Sequence, residues 1–257
     1  MESKLNYVVK EVYENKKVTD NIYKLEIRGN FKGIPGQFYM LRCWDSDPVL
    51  ARPVSIHDLE EDKITFLYQV VGRGTEKLYN LRRGDKIKLL GPLGNGFSRG
   101  NLKGKTAIIT GGIGIAPMFY LARDIKDQSL NAKGSIEEYK VDLYAGFKDD
   151  VYSIKKFQPF VDNIYISTEN GSRGIKGYVT DEFKPEIYDM VLCCGPEAMI
   201  QKVVEKCMKE KVKVYVSMEK HMACGIGACL VCTCNTTSGN KRVCKDGPVF
   251  SGEEIVW

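Results

Sequence analysis

The sequence lacks several features that would place it in common functional classes. No run of apolar residues approaches the roughly 18 that a membrane-spanning helix requires, and the charged stretch 1–17 does not resemble a secretory signal. The net charge of +5 comes from lysines spread along all 257 residues, without a dense basic block. We therefore expect no membrane span, no nucleic-acid binding and a cytoplasmic location.

Cysteine, in contrast, is abundant, and five of the nine cysteines lie between residues 224 and 244. Without a secretory signal, this clustering indicates metal ligation in a reducing compartment rather than disulfides. Cys224, Cys229, Cys232 and Cys244 have the C-x4-C-x2-C spacing, with a distant fourth cysteine, of a plant-type 2Fe-2S cluster. A zinc site is the main alternative, although zinc typically takes two C-x2-C-like pairs. Cys234 leaves the third ligand open, and the spacing favours Cys232.

The first hundred residues contain short alternating apolar and polar runs separated by glycine and proline, which predicts a small antiparallel β-barrel. Arg52-Pro53-Val54-Ser55 could hold a phosphate through a guanidinium fork and a hydroxyl. Gly72-Arg-Gly74-Thr75 could bring backbone amides to a pyrophosphate, with Thr75 starting a helix from Glu76 to Leu81. Alone, each motif is more typical of a surface arginine or a plain turn. Together, at strand ends about twenty residues apart, they predict one nucleotide site.

After residue 102 the pattern changes to alternating strands and helices. A buried strand leads into Gly111-Gly112-Ile-Gly114-Ile-Ala-Pro117 and then a helix, an arrangement in which helix N-terminal amides meet a phosphate. The loop is not a Gly-x-Gly-x-x-Gly fingerprint. Cys194-Gly195-Pro196 follows another core strand, where a cysteine is by default a small buried apolar residue. Lys148 and Arg173 could serve the 2′-phosphate of NADPH, although neither lies in a pattern that demands one.

Together, the Arg-Pro-x-Ser motif, the glycine loop and Cys-Gly-Pro resemble the ferredoxin–NADP reductase superfamily. The resemblance implies FAD on the barrel and NAD(H), rather than NADPH, on the α/β domain. It also implies that Cys194 is a catalytic residue beside the nicotinamide, that Arg52 contacts the FAD pyrophosphate and that Ser55 lies near the flavin ring. The implied FAD contacts are Arg52, Pro53, Val54, Ser55, Leu67, Tyr68, Gln69, Gly74 and Thr75. The implied dinucleotide contacts are Gly111, Gly112, Gly114, Pro117, Gly195 and Pro196.

Three segments are therefore expected. Residues 1–102 form an FAD-binding antiparallel β-barrel, residues 103–215 an NAD-binding α/β domain, and residues 216–257 a small iron–sulfur subdomain. The FAD would then pass electrons between NAD(H) and the iron–sulfur cluster. A flavin suits this role, because it accepts two electrons as a hydride and can release them singly to a cluster.

The order of these parts, with Met222-Ala-Cys224 to Cys232 and Arg242-Val-Cys244 to Phe250, resembles the electron-transfer subunits of class 1B dihydroorotate dehydrogenase. The resemblance covers essentially the whole chain. It implies electron transfer from an FMN-containing catalytic subunit, through the cluster and FAD, to NAD+ in pyrimidine (UMP) biosynthesis. It further implies a heterotetramer of two plus two subunits, in which this chain does not itself oxidise dihydroorotate.

Two other functions remain open from the residues. One is a flavin and iron–sulfur NAD(P)H reductase subunit that serves a ferredoxin, a hydrogenase or another redox partner. Among such reductases, one bifurcating family has aspartate as its first cluster ligand, and Cys224 at that position argues against it. The other is a non-enzymatic redox sensor or a zinc-stabilised binding module, for which the loop from Gly111 to Pro117 is hard to explain.

Overall fold

The computed structural model describes residues 6–98, 104–131 and 139–257. The first part of the chain forms β1 (Asn6–Lys17), β2 (Ile22–Arg28), β3 (Phe38–Arg42), β4 (Arg52–Leu59), β5 (Lys63–Gln69), α1 (Arg73–Tyr79) and β6 (Lys86–Leu93). The six strands close into a barrel in the order β1-β2-β5-β4-β3-β6. Side chains alternate between the two faces of a strand, and Leu25, Ile27 and Phe66 are fully buried inside. The predicted antiparallel barrel is confirmed.

The second part is an α/β layer built on a mostly parallel sheet. Its elements are β7 (Lys105–Gly111), α2 (Ile115–Asn131), β8 (Lys140–Phe147), α3 (Ile154–Phe157), β9 (Asn163–Thr168), β10 (Ile175–Lys176), β11 (Met190–Cys194), α4 (Glu197–Lys209) and β12 (Lys213–Ser217), with 3-10 turns at Gly112–Gly114 and Pro185–Ile187. The strands lie in the order β10-β9-β8-β7-β11-β12 and are parallel. Their carboxyl ends therefore meet at one edge, where such sheets bind ligands.

The third part leaves this sheet and returns to it. It contains β13 (Thr233–Thr236), β14 (Gly239–Arg242), β15 (Val249–Ser251) and a 3-10 turn at Gly252–Glu254. β13 and β14 form a hairpin, whereas β15 pairs antiparallel with β12 as the last strand of the seven-stranded sheet. The predicted fold class, a barrel with an α/β domain and a small C-terminal subdomain, is confirmed.

The predicted domain limits are less directly visible. The limit between residues 102 and 103 lies outside the described residues, and the limit between residues 215 and 216 falls inside β12. The three-part division at those residue numbers stays a prediction.

One apolar core joins all three parts. It includes Met40 of β3, Val191 of β11 and Cys244 of the C-terminal segment. Among the described residues, no helix combines the length and apolar character needed to span a membrane.

A second contact joins the barrel to α2. The carbonyl oxygen of Ala116 lies 2.7 Å from Nδ1 of His57, and the His57 ring stacks on Phe119 with the centroids 5.0 Å apart. Beside it, Arg123 Nη1 lies 2.6 Å from Asp58 Oδ1. Burial of the imidazole lowers the pKa of His57 to about 4, so at neutral pH the ring is uncharged. This contact fixes the barrel against the sheet edge at which ligands bind.

Candidate functional site

The cysteine loop brings its four predicted ligands together as two pairs. The thiol of Cys224 interacts with that of Cys229, and the thiol of Cys244 with that of Cys232. Among the residues that the structure describes, no three His, Cys, Asp or Glu side chains converge as ligands of one ion. Two separate pairs of thiols suit a cluster in which two irons are each held by two cysteines, whereas a single tetrahedral zinc needs all four ligands to converge on one ion.

Backbone amides point at the sulfur atoms of this loop. The N–H groups of Ile226 and Ala228 donate to Cys224 Sγ at 3.4 and 3.3 Å, and Gly227 N donates to Cys244 Sγ at 3.1 Å. Gly227 has φ of 82°, a backbone conformation that glycine adopts without strain. Such N–H···S bonds stabilise thiolate ligands and help to set a cluster's potential.

Arg242 holds the second half of the loop in place. Its guanidinium donates to both carboxylate oxygens of Asp246, at 3.0 and 3.1 Å, and its Nη1 donates to the carbonyl oxygen of Gly227 at 3.1 Å. The fork therefore connects the turn that carries Cys244 to the turn between the first two cysteines.

Cys232 and Cys234 are both buried in the same apolar core, but they differ in their contacts. The backbone N–H of Cys244 donates to Cys232 Sγ at 3.4 Å. Cys234 lies in β13, buried in the apolar core, and burial raises the pKa of its thiol. This placement agrees with the spacing argument for Cys232 as the third ligand and gives Cys234 a packing role.

The two predicted FAD motifs meet at Arg52. A Cβ on Gly74 would overlap the Arg52 guanidinium at Nε, Cζ and Nη2, so only glycine lets the two segments approach this closely. The Nη1 atom of Arg52 donates to the carbonyl oxygen of Leu50 at 2.6 Å. The guanidinium is thereby oriented with its Nε and Nη2 edge over the turn, an arrangement that fits a pyrophosphate.

The helix after this turn begins earlier than predicted. α1 starts at Arg73, not at Glu76, because Thr75 Oγ1 accepts hydrogen bonds from the backbone N–H groups of Val71 and Gly72 at 2.9 and 3.1 Å. The prediction of Thr75 as the start of the helix was wrong. Thr75 lies in the first turn of α1, and its side chain caps the residues that precede the helix.

The remaining predicted FAD contacts lie on β4 and β5. Leu67 packs in the core beneath the α/β sheet, and Gln69 lines a cavity at the end of β5. Tyr68 lies between them with its side chain in the barrel, where its hydroxyl donates to Asn15 Oδ1 at 3.1 Å and burial raises its pKa. On β4, Val54 is buried with Tyr68 in the barrel, whereas Ser55 is half-buried opposite Phe38.

A cavity of about 350 Å³ lies where β5 of the barrel meets the ends of β7, β11 and β12. Its lining residues are Gln69, Gly111, Gly112, Ile113, Gly114, Gly195, Pro196, Glu197, Ile200, Met218 and Glu219. The structure thus brings one predicted FAD contact together with most of the predicted dinucleotide contacts. A Cβ on Gly114 would lie 2.6 Å from the carbonyl carbon of Cys194, so the glycine allows the loop to reach β11.

A second cavity of about 470 Å³ continues along the sheet edge. It shares Gly111, Gly112 and Pro196 with the first and extends to Ser167 and Glu169 at the end of β9. The two cavities form one track across the carboxyl ends of the strands, which suits an extended dinucleotide.

Two predicted residues lie outside this track. Pro117 is buried in the first turn of α2, where proline is well tolerated. Cys194 ends β11 with its side chain buried in the apolar cluster that also contains Ile115, and burial raises the pKa of its thiol. Cys194 therefore lies one residue before Gly195, which lines the cavity, and its thiol is neutral. Its assignment as a catalytic residue stays a prediction.

The C-terminal segment also matches a known family model. Residues 219–256 match the iron-sulfur cluster binding domain of dihydroorotate dehydrogenase B. A protein of Clostridium acetobutylicum named dihydroorotate dehydrogenase B (NAD(+)), electron transfer subunit, is 56% identical over 253 residues, which are 98% of each chain. The chain belongs to this family. The Clostridium perfringens electron transfer subunit is 45% identical over 251 residues, again 98% of each chain.

A solved structure has the same architecture as this chain. The structure of an NADH-dependent reduced ferredoxin-NADP oxidoreductase, studied for flavin-based electron bifurcation, superposes with a TM-score of 0.85 at 25% identity. The match covers 100% of this chain and 92% of that one.

Some cavity residues were missed by sequence reasoning. Ser167, Glu169 and Glu219 line the track but belong to no recognisable motif. The available signal was weak: a strand such as β9 that ends in small or polar residues indicates a ligand edge without saying which side chain faces it.

Proposed function

We propose that this chain carries electrons between the catalytic subunit of a dihydroorotate dehydrogenase and NAD+, with a 2Fe-2S cluster and FAD as its redox groups. The observation that carries the proposal is that the cysteine loop packs directly on the barrel. A Cβ on Gly225 would lie 2.8 Å from Met40 Cγ of β3, and Asn95 Nδ2 donates to the carbonyl oxygens of Lys245 and Asp246 at 3.2 and 3.1 Å. The loop, the barrel and the dinucleotide track are thus contiguous.

The protein's own residues provide binding and alignment. When bound, FAD exchanges a hydride with the nicotinamide and single electrons with the cluster. Arg52 and the turn at Gly74 hold a pyrophosphate against the barrel, and the two cysteine pairs hold the irons. The glycines at 111, 112 and 114 leave room for the dinucleotide to reach Gln69 of the barrel.

The partner is proposed to be an FMN-containing catalytic subunit, in a heterotetramer of two plus two. Support comes from the surface of the cysteine loop, where Cys229 is exposed together with Ile226, Leu230 and Val231; the Leu230 side chain is 62% exposed. Apolar side chains around an exposed cluster ligand suit a protein partner that must come close enough for electron transfer.

The proposed location is the cytoplasm and the proposed pathway is pyrimidine synthesis. All nine cysteines are free thiols, and thiolates kept for metal ligation are typical of a reducing compartment. The names of the relatives support the pathway, because orotate is the product of dihydroorotate oxidation.

The test is anaerobic purification of the chain from its own host with its bound partners. Dihydroorotate and NADH are then added separately while the flavin absorbance is followed. Bleaching by both, with FMN and FAD both found in the sample, is the expected outcome.

Two other results have distinct meanings. Bleaching by NADH alone, with a ferredoxin or another redox protein co-purified, would replace the orotate assignment by a reductase serving that partner. No bleaching by either compound in a sample that contains flavin would overturn the proposal and turn attention to a sensor role.

A further inference from the structure

The strand β4 and the helix α2 each carry part of one cofactor site and also contact each other. β4 begins with Arg52 of the predicted FAD site, and α2 follows directly on the glycine turn at Gly112–Gly114. Further along β4, His57 and Asp58 both contact α2. The FAD motif and the dinucleotide turn are therefore connected through one strand and one helix.

A β-bulge allows two consecutive residues of β4 to reach α2. Side chains normally alternate between the two faces of a strand. In β4, Ile56 pairs with Phe66 and Asp58 pairs with Thr65, so His57 is an extra residue in the ladder. Ile56 is fully buried in the barrel, whereas both His57 and Asp58 contact the helix. The bulge thus directs two neighbouring polar side chains at α2.

The contacts on α2 lie along one face of the helix. Ala116, Phe119 and Arg123 are spaced by three and four residues, which places them on the same side. The carbonyl oxygen of Ala116 and the ring of Phe119 both contact His57. Arg123, one turn further on, reaches the end of β4.

Arg123 makes the most directional contact of this face. Its Nη1 lies 2.6 Å from Asp58 Oδ1, and its Nη2 donates to the carbonyl oxygen of Leu59 at 2.6 Å. The Asp58 carboxylate is itself held, because the backbone N–H of Leu59 donates to its Oδ1 at 2.9 Å. A planar guanidinium with two partners fixes both distance and orientation. The apolar cluster that joins Leu67 of the barrel to Ile115 of α2 is not directional in this way.

The separation of the two cofactor sites matters for the hydride step. The reacting atoms must approach to about 3–3.5 Å, and a displacement of about 1 Å caused by a remote substitution can cost about 100-fold in rate. The barrel holds the flavin and the turn before α2 holds the dinucleotide, so their separation depends on how β4 lies against α2. Arg123 is not among the described residues that line the two cavities of the track.

We propose that Arg123 is a positioning residue for hydride transfer: through Asp58 and Leu59 it sets the distance between the nicotinamide and the flavin without touching either. The inference rests on the proposed function, because it requires both groups to be bound at the sites described above. Loss of the guanidinium contacts leaves each binding site intact but lets the barrel and α2 shift relative to one another.

The test compares binding, stacking and rate in the purified complex that contains this chain and its FAD. Binding is measured by calorimetric titration with ADP-ribose, and FAD content by absorbance. Stacking is measured with tetrahydro-NAD, an electron-rich analogue that cannot give up a hydride, through the long-wavelength absorbance that its ring produces when it lies on the oxidised flavin. The rate is that of flavin bleaching after rapid mixing with saturating NADH, and deuterated NADH identifies the hydride step.

Arg123→Gln should slow flavin bleaching by about 10- to 100-fold and remove most of the tetrahydro-NAD absorbance. ADP-ribose affinity and FAD content should stay within about twofold of the wild type, because neither binding site is touched. Arg123→Lys keeps a cation beside Asp58 but lacks the planar fork, so it should fold and recover only part of the rate. This conservative variant keeps the proposal testable if Arg123→Gln does not fold.

Lys24→Gln is the matched control. Lys24 and Glu26 form an ion pair at 2.9 Å with side chains 20% and 11% exposed, close to the 20% and 14% of Arg123 and Asp58. Both residues of the control pair lie on β2, inside the barrel. The variant should therefore lose a comparable ion pair and leave the rate and the tetrahydro-NAD absorbance unchanged.

The outcomes separate this inference from the function on which it rests. If NADH bleaches the wild type and Arg123→Gln behaves like Lys24→Gln, or if Arg123→Lys keeps the full wild-type rate, the positioning role is overturned and the electron path stands. A loss of FAD or of ADP-ribose binding that accounts for the slower rate in Arg123→Gln would also overturn it. If the wild type binds no ADP-ribose and is not bleached by NADH, the proposed function itself fails.

Discussion

The cysteine loop and the dinucleotide track serve the same electron path but are built in opposite ways. The loop uses one residue type, at fixed spacing, within a single stretch of chain from Cys224 to Cys244. The track uses the ends of several strands, and much of its wall is glycine or backbone. Replacing a single cysteine should therefore abolish cluster binding by the loop, whereas replacing a single residue of the track should only weaken dinucleotide binding.

The largest expected effect lies in the loop. Cys224→Ser should abolish cluster binding, because serine provides no thiolate and three ligands hold the cluster poorly. Iron and acid-labile sulfide, measured on protein purified without oxygen, should fall to a small fraction of the wild-type content while FAD is retained.

Cys234→Ser is the matched control for the loop. This thiol is buried in the core, so the variant should lose some stability but keep its iron and sulfide. Normal cluster content in Cys224→Ser, or a cluster lost in Cys234→Ser from folded protein, would contradict the ligand assignment.

The barrel site should respond less drastically. Arg52→Ala should weaken FAD binding by about 1.5–3 kcal/mol, the usual contribution of a hydrogen bond to a charged group. Flavin release on dilution, followed by fluorescence, measures the effect. Arg83→Ala is the control, since Arg83 is an exposed arginine beside the Tyr13 ring, outside both phosphate motifs, and should change FAD affinity little. Equal flavin retention in both variants would remove Arg52 from the pyrophosphate site.

The smallest expected effect concerns the contact that holds the barrel beside the track. Burial lowers the pKa of His57 from 6.5 to about 4, so between these values the unfolded chain binds a proton that the folded chain does not. Stability should therefore fall as the pH falls through this window, by about 1 kcal/mol from His57 between roughly pH 7 and 5.5.

The measurement is the free energy of unfolding at both pH values for the wild type and for His57→Asn. The variant should be less stable at neutral pH, because it loses the stacking on Phe119, but less sensitive to acid. The same acid sensitivity in both proteins would mean that another group is responsible.

The loop and the fold were more predictable from the sequence than the cleft. Cysteine spacing is a local property, so Cys224, Cys229, Cys232 and Cys244 could be named from the order of residues alone. The barrel and the parallel sheet followed from periodicity and glycine or proline positions. Ser167 could not be named as a cavity residue, because its place there depends on its pairing with Gly146 of another strand. The start of α1 was misplaced because an internal side-chain bond of Thr75 decides it.

The return of the chain to the sheet through β15 has a consequence for how this protein can be divided. β12 would end the sheet with an open row of backbone donors and acceptors, and β15 covers part of it by pairing Tyr215 with Ser251 and Ser217 with Val249. Removing the C-terminal segment would expose an apolar strand edge, which is a template for pairing between copies. A chain truncated after Ser217 should therefore self-associate. The C-terminal segment that carries the cysteine loop thus also prevents aggregation, because its strand β15 covers the edge of the sheet.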